Sequence, residues 1–228
     1  MTDTGERAGW AERLKRLATR GFERAGGCEA LVVRARGEDA SAEARAALAS
    51  SFSDERRNRR SVDGLILGRL LDVREPDRGA RDGDVGFDAR LFASLVDGDE
   101  RVPRSCVESS GPMVPFDPDV GIERWTQTEL GALHAMGVWA SRGVGAGRVM
   151  DAARWHVEEL QPDNATNHAW ALHVFVELGL SGEGDGLLHA QTLMHNAMVA
   201  GGGAPDVFSS VLLLDAALVL EGGPWRDG

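Results

Sequence analysis

The chain has no tyrosine and only one lysine, Lys15, among 228 residues. The first absence excludes any chemistry that runs through a tyrosine base. Cysteine is almost as scarce. Cys28 and Cys106 are far apart and form no CxxC pair, which excludes a disulfide framework and an all-cysteine zinc site. Reduced, partly buried thiols are the expectation. The longest apolar stretch, Val207 to Leu220, is broken by Ser209, Ser210 and Asp215 and is too short to span a bilayer. Met1 to Gly9 is polar and holds no apolar run, so no export leader is expected and the expected location is cytoplasmic. Nucleotide and hydrolase signatures are missing too: there is no GKS/T, no GxGxxG after a strand, no GxSxG and no HExxH.

What is present is acid. The net charge is −11, unevenly spread: residues 1–60 hold 13 basic against 10 acidic side chains, and the remainder 12 against 26. An acidic body disfavours a phosphate backbone, which needs a concentrated basic face, and suits a basic protein partner. The run Arg56-Arg57-Asn58-Arg59-Arg60 has acids just before it and reads as a solvated helix face. Asp82, Asp84 and Asp88 lack the ligand spacing and closing Glu of a calcium loop. The excess of arginine over lysine matches GC-rich coding and carries no function.

Periodicity predicts an all-α chain. Glu6 to Arg24 reads as an amphipathic helix stopped by Gly26-Gly27, Ser41 to Phe52 as a second, Val62 to Leu71 as a third. Residues 72–88 read as a loop and Phe87 to Val96 as one more short helix. Residues 1–96 thus form an N-terminal helical region. Residues 97–121 hold four prolines and read as an extended surface connector. Residues 122–221 carry five helices separated by short turns: about Thr126 to Ser141, with a capping box to Glu129, then Val149 to Gln161, Thr166 to Leu178, Gly186 to Val199 and Val207 to Glu221. Residues 222–228 are a tail, and the parts are expected to form one domain.

The last hundred residues repeat. Leu133-His134 lies 39 positions before Leu172-His173, which lies 42 before Leu214-Asp215, and Ala152 aligns with Ala190 at 38. Antiparallel helical hairpins repeating at about 40 residues predict an α/α-toroid or a short α-solenoid. The segment Ala153, Val157, Gln161, Pro162, Asp163 resembles the repeats of terpenoid-cyclase and prenyltransferase-type α/α-toroids. Trp155 stands one place early for the repeat's aromatic, with His156 in its place, and Ala165 and Asn167 replace the Gly and Trp of its turn. The resemblance implies a fold, not an activity. The cyclase motifs DxDD and DDxxD are absent, and neither cysteine lies where a prenyltransferase zinc ligand would. Trp125 to Glu221 also resembles bacterial helical-hairpin proteins, which brings no activity with it.

Chemistry, where present, is expected on the inner helices. All six histidines lie in the repeat region, and His134, His173 and Asp215 occupy one repeat position on three apolar helices. Glu177, four residues after His173, shares its face. These four form the candidate pocket, for acid–base work or, through His134, His173 and Asp215, a divalent metal. The structural reading is plainer: each makes a hydrogen bond or two inside the core. No cofactor is expected. A non-catalytic protein-interaction or scaffold module is the leading reading, and a small toroid enzyme or ligand-binding protein the alternative.

Overall fold

Apolar residues recur every three or four positions through the N-terminal segment. In the computed structural model they build one 23-residue helix, α1 (Asp3–Ala25), which buries Ala11, Leu14, Ala18 and Phe22 along one face. Gly26 and Gly27, both at positive φ, end it. The structure describes residues 3–73, 86–107, 110–160 and 166–225. Asp82, Asp84 and most of the loop expected over 72–88 lie outside them.

Three short helices follow: α2 (Glu29–Ala35), α3 (Ala42–Ser51), capped by Ser41, and α4 (Ser61–Leu70). Then come α5 (Phe87–Asp97) and a single turn, α6 (Arg101–Arg104). The C-terminal half holds α7 (Ile122–Ser141), α8 (Ala146–Glu159), α9 (Leu172–Leu180), α10 (Gly186–Ala200) and α11 (Val207–Glu221). The described residues contain no strand, and the protein is all-α.

The packing order explains the apolar run near the C-terminus. α11 is hydrophobic on every side, so it must be sheathed, and α1, α4 and α9 surround it. It is a core helix, and no helix among the described residues is long and apolar enough to cross a membrane. α9, buried from Leu172 to Leu178, is the hub, touching α1, α7, α8, α10 and α11. α10 approaches α9 closely because two glycines permit it. A methyl at Gly186 would meet the Gly179 nitrogen and Phe175 oxygen at 2.7 Å. One apolar cluster runs through both halves, from Trp10 to Leu220.

Four local expectations are corrected. α7 starts at Ile122, so Thr126 is not its cap. Glu129, expected to close a capping box, is fully buried and accepts instead from the Met113 and Val114 amides at 2.7 and 2.5 Å. The connector is therefore not simply extended over the surface: α6 interrupts it, and Gly111 to Val114 is strapped inward, with Arg148 donating to the Gly111 and Pro112 carbonyls. The segment expected to begin α9 at Thr166 is a turn that ends at Ala171, at φ 52°. Finally, Arg56 to Arg60 is a loop, not a helix face. Arg59 donates to the last carbonyls of α3, and Arg60 stacks 4.1 Å over Phe208.

Candidate functional site

Three of the four residues singled out from sequence meet. His134 of α7 and Asp215 of α11 are both fully buried, with His134 Nε2 2.9 Å from Asp215 Oδ2. On the other edge of the ring, the Ala171 amide donates to His134 Nδ1 at 3.1 Å. An acceptor at Nδ1 fixes the tautomer: the proton sits on Nε2 and is donated to the carboxylate. Burial, then the electrostatic competition of the His173 ring for a proton and the charge of Arg69, hold His134 well below the usual imidazole range, so the ring is neutral. The second carboxylate oxygen, Asp215 Oδ1, is in direct contact with the Arg69 guanidinium of α4. Burial and the neighbouring Arg142 and Arg34 push Arg69 down to about 9, which leaves it charged at neutral pH. The set is thus an arginine–aspartate ion pair extended by a neutral histidine.

His173 of α9 packs its ring edge-on to His134, with centroids 4.6 Å apart. Neither of its ring nitrogens has a hydrogen-bond partner. Burial pushes it down to about 3, and the charge of Arg69 acts in the same direction. Gly137 makes room for it, since a methyl there would overlap His173 Nε2. Glu177, one turn on, does not join this group. Its carboxylate is held bidentately by Arg7 of α1, at 2.6 and 2.7 Å, and ties the N-terminal helix to the hub.

A second buried pair lies beside it. His156 Nε2 is 3.0 Å from Glu129 Oε1, the oxygen that also holds the Met113 amide. This links α8, α7 and the inner strap through three contacts to one buried carboxylate. Arg7, Arg69, Glu129 and His156 were not among the residues singled out. Arg69 had a readable signal, as the one basic side chain inside the apolar run Val62 to Leu71.

None of His134, His173, Glu177 and Asp215 lines a recess among those found. Among the described residues, no group of three His, Cys, Asp or Glu side chains is arranged to hold a metal ion. A recess of about 980 Å³ opens elsewhere, between the C-terminal ends of α1 and α10, the α3–α4 loop and the start of α11. Its floor is already cross-linked. Arg60 reaches His168 Nε2 at 3.3 Å and Asp54 at 3.3 Å, while His168 Nδ1 faces Ser209 Oγ at 3.3 Å and Asp206 at 3.5 Å. With Nε2 accepting from Arg60, His168 carries its proton on Nδ1, so it cannot also act as a base toward Ser209. Asp206 caps α11 through the Ser209 amide, and Glu55 takes the Val207 amide. These contacts tie segments together and present no nucleophile–base pair to solvent.

In comparisons with known proteins, the chain matches no family model, no curated protein and no solved structure.

Proposed function

We propose that the chain is a protein-interaction module of helical hairpins repeated at about 40 residues, and that its contact surface is the outer face of α10. The repeat reading is supported by the successive packing of α7 on α8 and α9 on α10, with α7, α9 and α11 carrying the inner polar cluster. One observation carries the functional reading. α10 spans 15 residues without a single Asp, Glu, Lys or Arg, in a chain where 27% of residues are charged. On α1 and α8 the exposed surface is charged: Glu12, Arg13, Arg16 and Glu23 on α1, Asp151, Glu158 and Glu159 on α8. On α10, Leu188 and Val199 are instead 60% and 63% exposed. Depletion of charge around exposed aliphatic side chains is the compositional mark of an interface core.

The competing reading, a small toroid enzyme or ligand-binding protein with its pocket on the inner helices, rests on the same buried cluster. A ligand would have to displace packed side chains to reach it, and we do not adopt it. The test is photo-crosslinking in the source cell from a benzophenone side chain at position 188, with position 158 on α8 as control. Discrete protein adducts from 188 and none from 158 support the reading. Adducts from neither position, or equally from both, refute it.

A further inference from the structure

We infer that the recess of about 170 Å³ between α2, α4, α7 and α11 is a binding site for a phosphate group, held by Arg34, Arg69 and Arg142. It lies apart from the α10 surface and does not depend on the interaction reading. In a chain of net charge −11, three guanidiniums line this one small depression, and among the described residues no acidic side chain lines it. Arg34 and Arg69 stand in the last turns of α2 and α4, and Arg142 ends α7, so three helix termini fix where the cations emerge. Arg142 and Arg34 both push Arg69 down, which places the three like charges within interacting range. Val138, Leu218 and Val219 form an apolar wall, and a wall of low polarizability strengthens both their mutual repulsion and their pull on an anion.

The donors are not used up inside the protein. Arg34 Nε and Arg69 Nε are buried and have no hydrogen-bond partner. A buried donor without an acceptor is costly, and a bound ion is one arrangement that relieves it. Arg34 reaches Asp39 at 3.4 Å, on a carboxylate that is 73% exposed. Arg142 donates to the Leu95 carbonyl, also at 3.4 Å, and Arg69 touches Asp215. The carbonyl ends of α4, α7 and α11 are negative by about half a charge each, which favours cations here. None of the three guanidiniums donates to those carbonyls, so their hydrogen-bonding capacity stays open.

The donor set selects the ligand's chemistry. Each guanidinium offers a planar fork of N–H groups, and three forks outnumber the two oxygens of a carboxylate. A phosphate group presents three terminal oxygens and close to two negative charges at neutral pH. It occupies roughly the volume of two waters, about 60 Å³, and so fits with some of its hydration. The recess is smaller than the roughly 300 Å³ that encloses a whole small molecule, so anything esterified to the phosphate stays outside. An adjoining recess of about 320 Å³ shares Arg34 and Arg69, but Glu38, Asp39 and Asp72 line it and oppose an anion there.

The experiment is isothermal titration calorimetry of the full chain with inorganic phosphate at about pH 7.5, with sodium chloride holding ionic strength near about 0.15 M. One saturable site with a Kd of about 1 mM or tighter is expected. Arg34→Gln and Arg142→Gln should each raise Kd about tenfold or more. Arg142→Lys keeps the charge, loses the fork and should also raise it. Arg104→Gln, at an exposed pair on α6, should leave it unchanged. Arg69 is spared because Asp215 depends on it, and circular dichroism checks that each variant folds. The Arg34 side chain is 40% exposed, so its replacement opens no core. Titration with glycerol 3-phosphate separates the sources: tighter binding than phosphate assigns the end of a phosphomonoester, equal or weaker binding the free ion. No saturation by about 20 mM phosphate overturns the proposal. A site that survives both glutamine substitutions does so too, since it is an adventitious ion only. Acetate bound as tightly as phosphate, or full affinity in Arg142→Lys, refutes the forked phosphate contact.

Discussion

Replacing Asp215 by asparagine changes one atom type and should still unfold much of the protein's stability margin. The carboxylate has two neighbours with fixed demands: Arg69 on Oδ1 and the His134 Nε2 proton on Oδ2. An amide has one acceptor. If its oxygen faces His134, its NH2 group points at the guanidinium; if it faces Arg69, the NH2 group points at an N–H. His134 cannot relieve the clash by moving its proton, because Nδ1 already accepts from Ala171. Breaking a buried ion pair by removing one charge costs about 3–5 kcal/mol. Arg69 keeps 17% of its side chain exposed, at a recess of about 170 Å³ that it shares with Arg34 and Arg142, and can shift outward. The lower end, about 3 kcal/mol, is therefore expected, against a typical total of about 5–15 kcal/mol. For a chain of this length that is a fall in Tm of roughly 6–12 °C. Guanidinium denaturation followed by circular dichroism measures it. Adding Arg69→Met removes the guanidinium that the amide opposes, so the double variant should lose at least 1 kcal/mol less than the sum of the singles, roughly the scale of a direct coupling. A loss below about 1 kcal/mol for Asp215→Asn, or strict additivity, would refute the account of a mutually dependent set.

Acid should weaken the fold. His173 is held at about 3 and His189 at about 4 in the folded state, both chiefly by burial, against about 6.5 unfolded. Below pH 6.5 the unfolded chain takes up the protons and the folded one does not, so each contributes about 2 kcal/mol of lost stability between pH 7 and 5. Asp63, whose carboxyl burial pushes up to about 6, works in the opposite sense and returns about 1 kcal/mol. Urea midpoints at the two pH values should show the net loss, and equal midpoints would contradict it. Glu129→Gln should cost about 2 kcal/mol and release the Met113 and Val114 amides, read as a local loss of hydrogen-exchange protection around Gly111 to Val114. Burial and nearby acids push the Cys28 thiol up to about 11, and burial raises Cys106 as well. Neither should react with iodoacetamide at pH 8 until denaturant is added; rapid labelling of the native chain would show the burial wrong.

Helix existence was legible because it follows from periodicity, which one stretch of chain carries alone. Seven of the helices were expected from that signal to within a few residues. The ends of α7 and α9 were not, since they depend on what the neighbouring chain supplies. Thr126 and Glu129 have the spacing of a capping box, yet Glu129 faces two backbone amides 15 and 16 residues upstream, a demand invisible in local sequence. The convergence of His134, His173 and Asp215 was readable from their matching places on three apolar helices, 39 and 42 residues apart. Their partner Arg69 was not assigned, because nothing in one sequence says which helix α11 packs against. Glu177 shows the limit of face arguments: it shares a helix side with His173 and still belongs to Arg7, 170 residues away in sequence. The arginine run misled for a related reason, as charge density reports exposure on average and not the tasks of single side chains.

The arginine–aspartate–histidine set has a consequence for inheritance. Arg69, His134 and Asp215 come from three helices, with His134 and Asp215 separated by 81 residues, and loss of any one leaves the others with buried polar groups unmet. A lineage that loses one drifts at a standing cost in stability until the others change with it, into another balanced trio. The Ala171 amide adds a fourth, silent constraint, because it demands an acceptor at position 134 whatever stands there. Descendants too diverged to align over their surfaces should therefore still carry this combination, or lack all of it together. Joint presence or joint absence at those positions is a sharper test of common ancestry for this fold than overall identity.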